Sequence, residues 1–103
     1  MSNSFHLALP AGDLQITEKF YTQILGCKTG NREKGKWVDI DFWGNELTLH
    51  QTKMKLPRER HEVDMGNVPV PHFGVHLKKE VFDHIKSNLE SNNIKYIDKP
   101  YTR

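Results

Sequence analysis

The sequence is poor in the features that mark secreted, membrane-bound or nucleic-acid-binding proteins. Its single cysteine, Cys27, excludes an internal disulfide framework and fits a reducing compartment. No apolar run approaches the roughly 18 residues of a membrane span. No basic stretch followed by an apolar one opens the chain, so no secretory signal is visible. Neither sign of charge dominates. Fifteen Lys and Arg against thirteen Asp and Glu leave a net charge of +2, too mild for a nucleic-acid footprint. There is no glycine-rich phosphate loop, no Cys-x-x-Cys pair, no nucleophile elbow and no His-Glu-x-x-His. These absences point to a cytoplasmic protein that engages neither nucleic acid nor membrane.

What is present is one small domain's worth of chain. Its 103 residues are 36% apolar and 27% charged, enough for a modest core in a rather polar molecule. Residues 4–51 read as strand, helix and three strands. "SFHLALP" is a short strand closed by Pro10. Asp13 stands as an N-cap, Leu14, Phe20, Tyr21, Ile24 and Leu25 keep to one helix face, and Gly26 sits where a helix ends. A second strand starts at Cys27. In "WVDIDF", Val38, Ile40 and Phe42 alternate with Trp37, Asp39 and Asp41. "WGN" makes a tight turn into "ELTLHQ", which sets Leu47 and Leu49 against Glu46, Thr48 and His50.

Residues 52–71 show no periodicity and read as a linker. The opening order then returns over residues 72–103. "HFGVHL" is predicted as a strand, residues 79–92 as a helix with Val81, Phe82, Ile85 and Leu89 inward, and "IKYIDKP" as another strand. Phe5-His6-Leu7-Ala8-Leu9 echoes Pro71-His72-Phe73-Gly74-Val75, with a histidine at the same place in each. The second copy stops before a hairpin could form, so the chain is expected to be a fragment or to gain those strands elsewhere. The fold class predicted is α+β: a βαβββ module followed by an incomplete second one.

Histidines carry the candidate chemistry. His72 and His76 would share a strand face, yet four residues of strand separate them by about 13 Å, too far for one ion with bonds of about 2.1 Å. Glu46 and His50 fail the same test. His6 and His72 occupy equivalent places in the two units and could converge, with His50 approaching from the last strand of the first unit. Such a set suits zinc, iron, nickel or manganese, whereas any one of these residues alone could equally be a satisfied structural histidine. His61 and His84 read as solvent-exposed. Trp37 and Trp43 could line a substrate pocket, or simply pack at the hairpin. Cys27 reads as a structural thiol.

The histidine on the first strand, "AGDL" leading into a helix, "KFYTQILG" ending it and the later "PHFGVHL" together resemble the vicinal oxygen chelate superfamily, with glyoxalase I, bleomycin resistance proteins and extradiol dioxygenases among its members. The resemblance covers essentially the whole chain. It implies two βαβββ modules curled around a cleft that holds a divalent metal, with His6 and His72 as first-strand ligands. It also implies a ligand on the last strand of module one, where His50 lies nearer the expected depth than Glu46. The final glutamate ligand of the second module has no counterpart in the sequence. A homodimer that completes the cleft is therefore expected. The reading implied is a metal-dependent lyase or dioxygenase acting on a small oxygen-chelating substrate. The alternative is a non-catalytic, drug-sequestering binder.

Overall fold

The computed structural model describes residues 3–53, 60–63, 66–69 and 72–96. The chain divides into two compact units, Met1–Lys55 and Leu56–Arg103.

In the first unit β1 (His6–Gly12) leads into α1 (Leu14–Lys19), and β2 (Lys28–Glu33), β3 (Trp37–Phe42) and β4 (Asn45–Gln51) follow. The four strands form one sheet in the order β1-β4-β3-β2, with β1 parallel to β4 and the other pairs antiparallel. The module is therefore βαβββ. Its alternation decides the faces. Val38, Ile40, Phe42, Leu47 and Leu49 are buried on one side, and Leu14 at the start of α1 is buried with them. Side chains on a strand alternate, so the partner residues Trp37, Asp39, Asp41, Glu46, Thr48 and His50 turn to the other side.

The helix begins and ends as its sequence predicts. Asp13 accepts a hydrogen bond from the Ile16 N–H at 3.2 Å, satisfying one of the donors left free at a helix start. The Leu14 N–H goes to the side chain of Gln51 at 2.7 Å, which ties the helix to the end of β4. Gly26 has φ +80°, and beyond it the Cys27 N–H closes on the Tyr21 carbonyl at 3.0 Å. One feature of this stretch is not visible in its periodicity. Residues Phe20–Ile24 form a π-helical turn, in which the Leu25 N–H reaches the Phe20 carbonyl five residues back. The Thr22 hydroxyl also donates to the Glu18 carbonyl at 2.9 Å, competing with the regular ladder. The turn delivers Tyr21 edge-on to Phe42, with ring centroids 6.1 Å apart. A bidentate pair from Arg32 to Glu18, at 2.7 and 3.1 Å, joins the helix to β2.

Between β3 and β4 the two turn residues, Trp43 and Gly44, have φ +48° and +86°. This is the left-handed pair that a two-residue hairpin with native twist demands. Trp43 thus belongs to the turn. Its ring lies 4.9 Å from that of the buried Phe42, so it caps the end of the apolar layer.

The second unit departs from the prediction in two places. Within the expected linker, β5 (Arg60–Val63) pairs antiparallel with β6 (Gly66–Pro69). Gly66 and Pro69 bound β6, and neither four-residue strand shows alternation, so they carried no strand signal. Conversely, residues 72–77, predicted as a strand from "HFGVHL", form no strand here. Alternation marks a segment that could join a ladder, but a strand needs a partner, and no described segment pairs with this one. Helix α2 (Lys79–Ser91) forms where expected. Of its predicted inward residues, Ile85 and Leu89 are half-buried, whereas Val81 and Phe82 are exposed. Of the predicted final strand, residues 94–96 are not in a strand, and 97–100 lie outside the described residues. No described helix is long and apolar enough to cross a membrane.

Removing a side chain from the apolar layer should be costly, because Leu49 is completely buried. Leu49→Ala is expected to lower unfolding free energy by about 2–5 kcal/mol in urea titrations. Ile16→Ala, on the exposed side of α1, should change it by less than about 0.5 kcal/mol.

Candidate functional site on the polar face of the sheet

Register organises the polar face into rows that run across the strands. The first row is His6, Glu46, Asp41 and Lys28; the next holds Ala8, Thr48 and Asp39; the last holds Pro10, His50, Trp37 and Glu33. Two residues of strand, about 6.6 Å, separate each row from the next.

The first row contains the contact of interest. His6 Nδ1 lies 3.0 Å from Glu46 Oε2, and both side chains are more than half exposed, at 57% and 56%. The neighbouring carboxylates are already engaged. Asp39 accepts from the Thr48 hydroxyl at 2.7 Å, which explains how a threonine is buried on this face. Asp41 accepts from the Gly44 N–H at 2.8 Å and so belongs to the hairpin turn. Glu46 is the carboxylate that faces the histidine. Beside it an open depression of about 420 Å³ is lined by Asn31, Asp39, Asp41, Asn45 and Glu46.

The predicted site residues fare differently. His6 stands on the polar face with an acidic partner. His50 lies on the same face but opposite Pro10 and Trp37, four positions along β4 from Glu46. That is about 13 Å of strand. The parallel register of β1 on β4 therefore corrects the expected approach of His50 to His6, and Glu46 takes that place. Trp37 is half-buried in the row of His50, where its indole N–H donates to Glu33 at 3.2 Å. Trp43, in the turn, packs on the core side and not with His6. His72 belongs to the second unit and is exposed.

The His6–Glu46 pair passes a donor test for a metal ion. Two ligands held at about 2.1 Å with a right angle between them stand about 3.0 Å apart, the spacing seen here. Among the described residues no group of three His, Cys, Asp or Glu side chains is gathered in one place. The same 3.0 Å is also an ordinary hydrogen-bond distance, and two donors are fewer than a metal site needs; an imidazole with a carboxylate is a pair that suits zinc, iron, nickel or manganese.

Comparison with solved structures agrees with this architecture. A glyoxalase/bleomycin resistance protein/dioxygenase from Alicyclobacillus acidocaldarius superposes with TM-score 0.67 at 32% identity, covering 89% of this chain and 64% of that one. The chain has the glyoxalase/bleomycin resistance/dioxygenase fold. An integron cassette protein from the mobile metagenome of Halifax Harbour sewage outfall shares this fold, with TM-score 0.64 at 22% identity over 89% of the chain and 72% of its own. An integron cassette protein from V. cholerae does so too, with TM-score 0.65 at 19% identity over 100% of the chain and 77% of its own. The chain thus spans 64% of the length of the Alicyclobacillus protein. No protein-family model and no curated protein sequence matches it.

Cys27 lies on the helix-to-β2 connection and plays no part in this face. Burial pushes its thiol above the ordinary range, and the negative charge of Asp41 pushes it further in the same direction. Alkylation by iodoacetamide at pH 8 should therefore be slower than for a free thiol. Asp41→Asn removes the charge and leaves an oxygen to accept from Gly44. It is expected to lower the pH midpoint of the alkylation rate; an unchanged midpoint would leave burial as the sole cause.

Proposed function

We propose that the chain binds a small molecule with adjacent oxygens on the polar face of the β1–β4 sheet, beside a divalent metal held by His6 and Glu46. The observation that carries this reading is the 3.0 Å contact between an imidazole and a carboxylate on neighbouring strands, at the edge of an open depression. The fold supports it, since the Alicyclobacillus neighbour bears the names glyoxalase, bleomycin resistance protein and dioxygenase. A metal bound there supplies Lewis acidity to a chelating substrate. The chain's own groups would orient that substrate: Asn31 offers hydrogen bonds from the lining of the depression, and Lys28 closes the row beyond Asp41. His72, matched by resemblance to a second first-strand ligand, is a further donor in this reading. A lyase or dioxygenase reaction in a reducing, cytoplasmic compartment is its catalytic form, supported by the lone cysteine. A homodimer belongs to the same reading, supported by the exposure of Val81 and Phe82 on α2.

Trp37 favours a second reading. It is half-buried on the polar face and could stack against an organic ligand without any metal, as in a sequestering protein.

Calorimetric titration with zinc, nickel and iron(II) separates the two. Binding of one ion is expected in the wild type, lost in His6→Ala and in Glu46→Gln and retained in His50→Ala. Loss in His72→Ala would add that residue to the site. Metal binding indifferent to Glu46→Gln overturns the assignment, and stabilisation by small aromatic ligands but by no metal favours sequestration.

A further inference from the structure

We propose that Asn45 is the positioning residue of the His6–Glu46 pair: its side-chain amide clamps the start of β1 across β4 and thereby sets the imidazole opposite the carboxylate. The metal role of that pair rests on the reading above; the clamp itself does not.

Phe5 is the residue before β1. Its N–H donates to Asn45 Oδ1 at 3.1 Å, and its carbonyl accepts from the Glu46 N–H at 3.1 Å. Two consecutive residues of β4 therefore grip one residue of the incoming chain from both of its polar groups. The other end of the amide is committed as well. Asn45 Nδ2 donates to the Phe42 carbonyl at 3.2 Å, across the hairpin. This fixes the orientation of the amide, because the reverse one would set N–H against N–H and oxygen against oxygen. One half-buried side chain thus links β1 to β3 across the strand that lies between them.

The consequence falls on the next residue. His6 follows Phe5, Glu46 follows Asn45, and the two are register partners. His6 is 57% exposed, so packing does little to hold it. It also lies at the first position of an edge strand, where ladders fray most easily. The Asn45 clamp closes that fraying end. Alanine removes both bonds. Aspartate keeps an acceptor for the Phe5 N–H, loses the donor to Phe42 and adds a negative charge next to Glu46.

The test compares wild type, Asn45→Ala, Asn45→Asp and a core control, Ile40→Val, that destabilises without touching β1. Three readouts are taken: amide exchange of Phe5, the nuclear Overhauser contact between the His6 ring and the Glu46 side chain, and nickel affinity. In Asn45→Ala the Phe5 amide should lose protection, the His6–Glu46 contact should vanish and nickel affinity should fall by about 10–100-fold. Asn45→Asp should keep the contact, and Ile40→Val should leave all three readouts as in wild type. If Asn45→Ala does not fold, loss of the contact in Asn45→Asp despite a protected Phe5 amide overturns the proposal. So does a contact that persists in a folded Asn45→Ala, or one lost equally in Ile40→Val. If the wild type binds no nickel, the metal reading fails, and the exchange and Overhauser readouts still decide the role of Asn45.

Discussion

Strand β4 lies inside the sheet, parallel to β1 on one side and antiparallel to β3 on the other, and its register is the constraint on which the first unit depends. Leu47 and Leu49 are buried against Val38 and Ile40 on one face, so Glu46, Thr48 and His50 must point to the other. A slip of one residue against either neighbour would carry the leucines into solvent and the carboxylate into the apolar layer. Burial of four side chains that are almost wholly inaccessible, Val38, Ile40, Leu47 and Leu49, therefore specifies the polar face as firmly as it specifies the core.

Given that register, the polar face sorts its own groups. Asp39 and Thr48 satisfy each other, Asp41 serves the hairpin turn and Trp37 is tied to Glu33. His6 and Glu46 form an exposed pair beside a depression, free of any such structural duty. An exposed contact between two polar side chains contributes little to stability, so stability gives no reason to maintain this one. The π-helical turn at Phe20–Ile24 shows the same division of labour on the opposite face. It departs from regular helix and in doing so seats Tyr21 against Phe42, where burial raises the phenol above its ordinary range and the nearby Cys27 adds to the shift.

The fold shared with the Alicyclobacillus protein is a scaffold that hosts several chemistries, so the reaction has to be argued from the site. What the first unit contributes is a preset pair of donors on a rigid sheet, one from an edge strand and one from an inner strand. Placing both on strands fixes them better than loops would. The weakest part of that arrangement is the free end of β1, and Asn45 stands at that point.

Much of the first unit was legible in the sequence, because its signals are local. The alternation of "WVDIDF" and "ELTLHQ" determined which residues face the core, and Asp13 and Gly26 determined where the helix starts and stops. The same alternation placed His6, His50 and Glu46 as strand residues that could carry chemistry. Tertiary structure alone decided which of them meet. The pairing of β1 with β4 joins segments forty residues apart, and no periodicity within either strand states their mutual register. Hence Glu46, and not His50, stands beside His6. The β5–β6 hairpin and the irregular backbone over residues 72–78 escaped for the related reason that a strand exists only with a partner to receive its hydrogen bonds. Local patterning determines what each segment can become, and long-range pairing determines what it is.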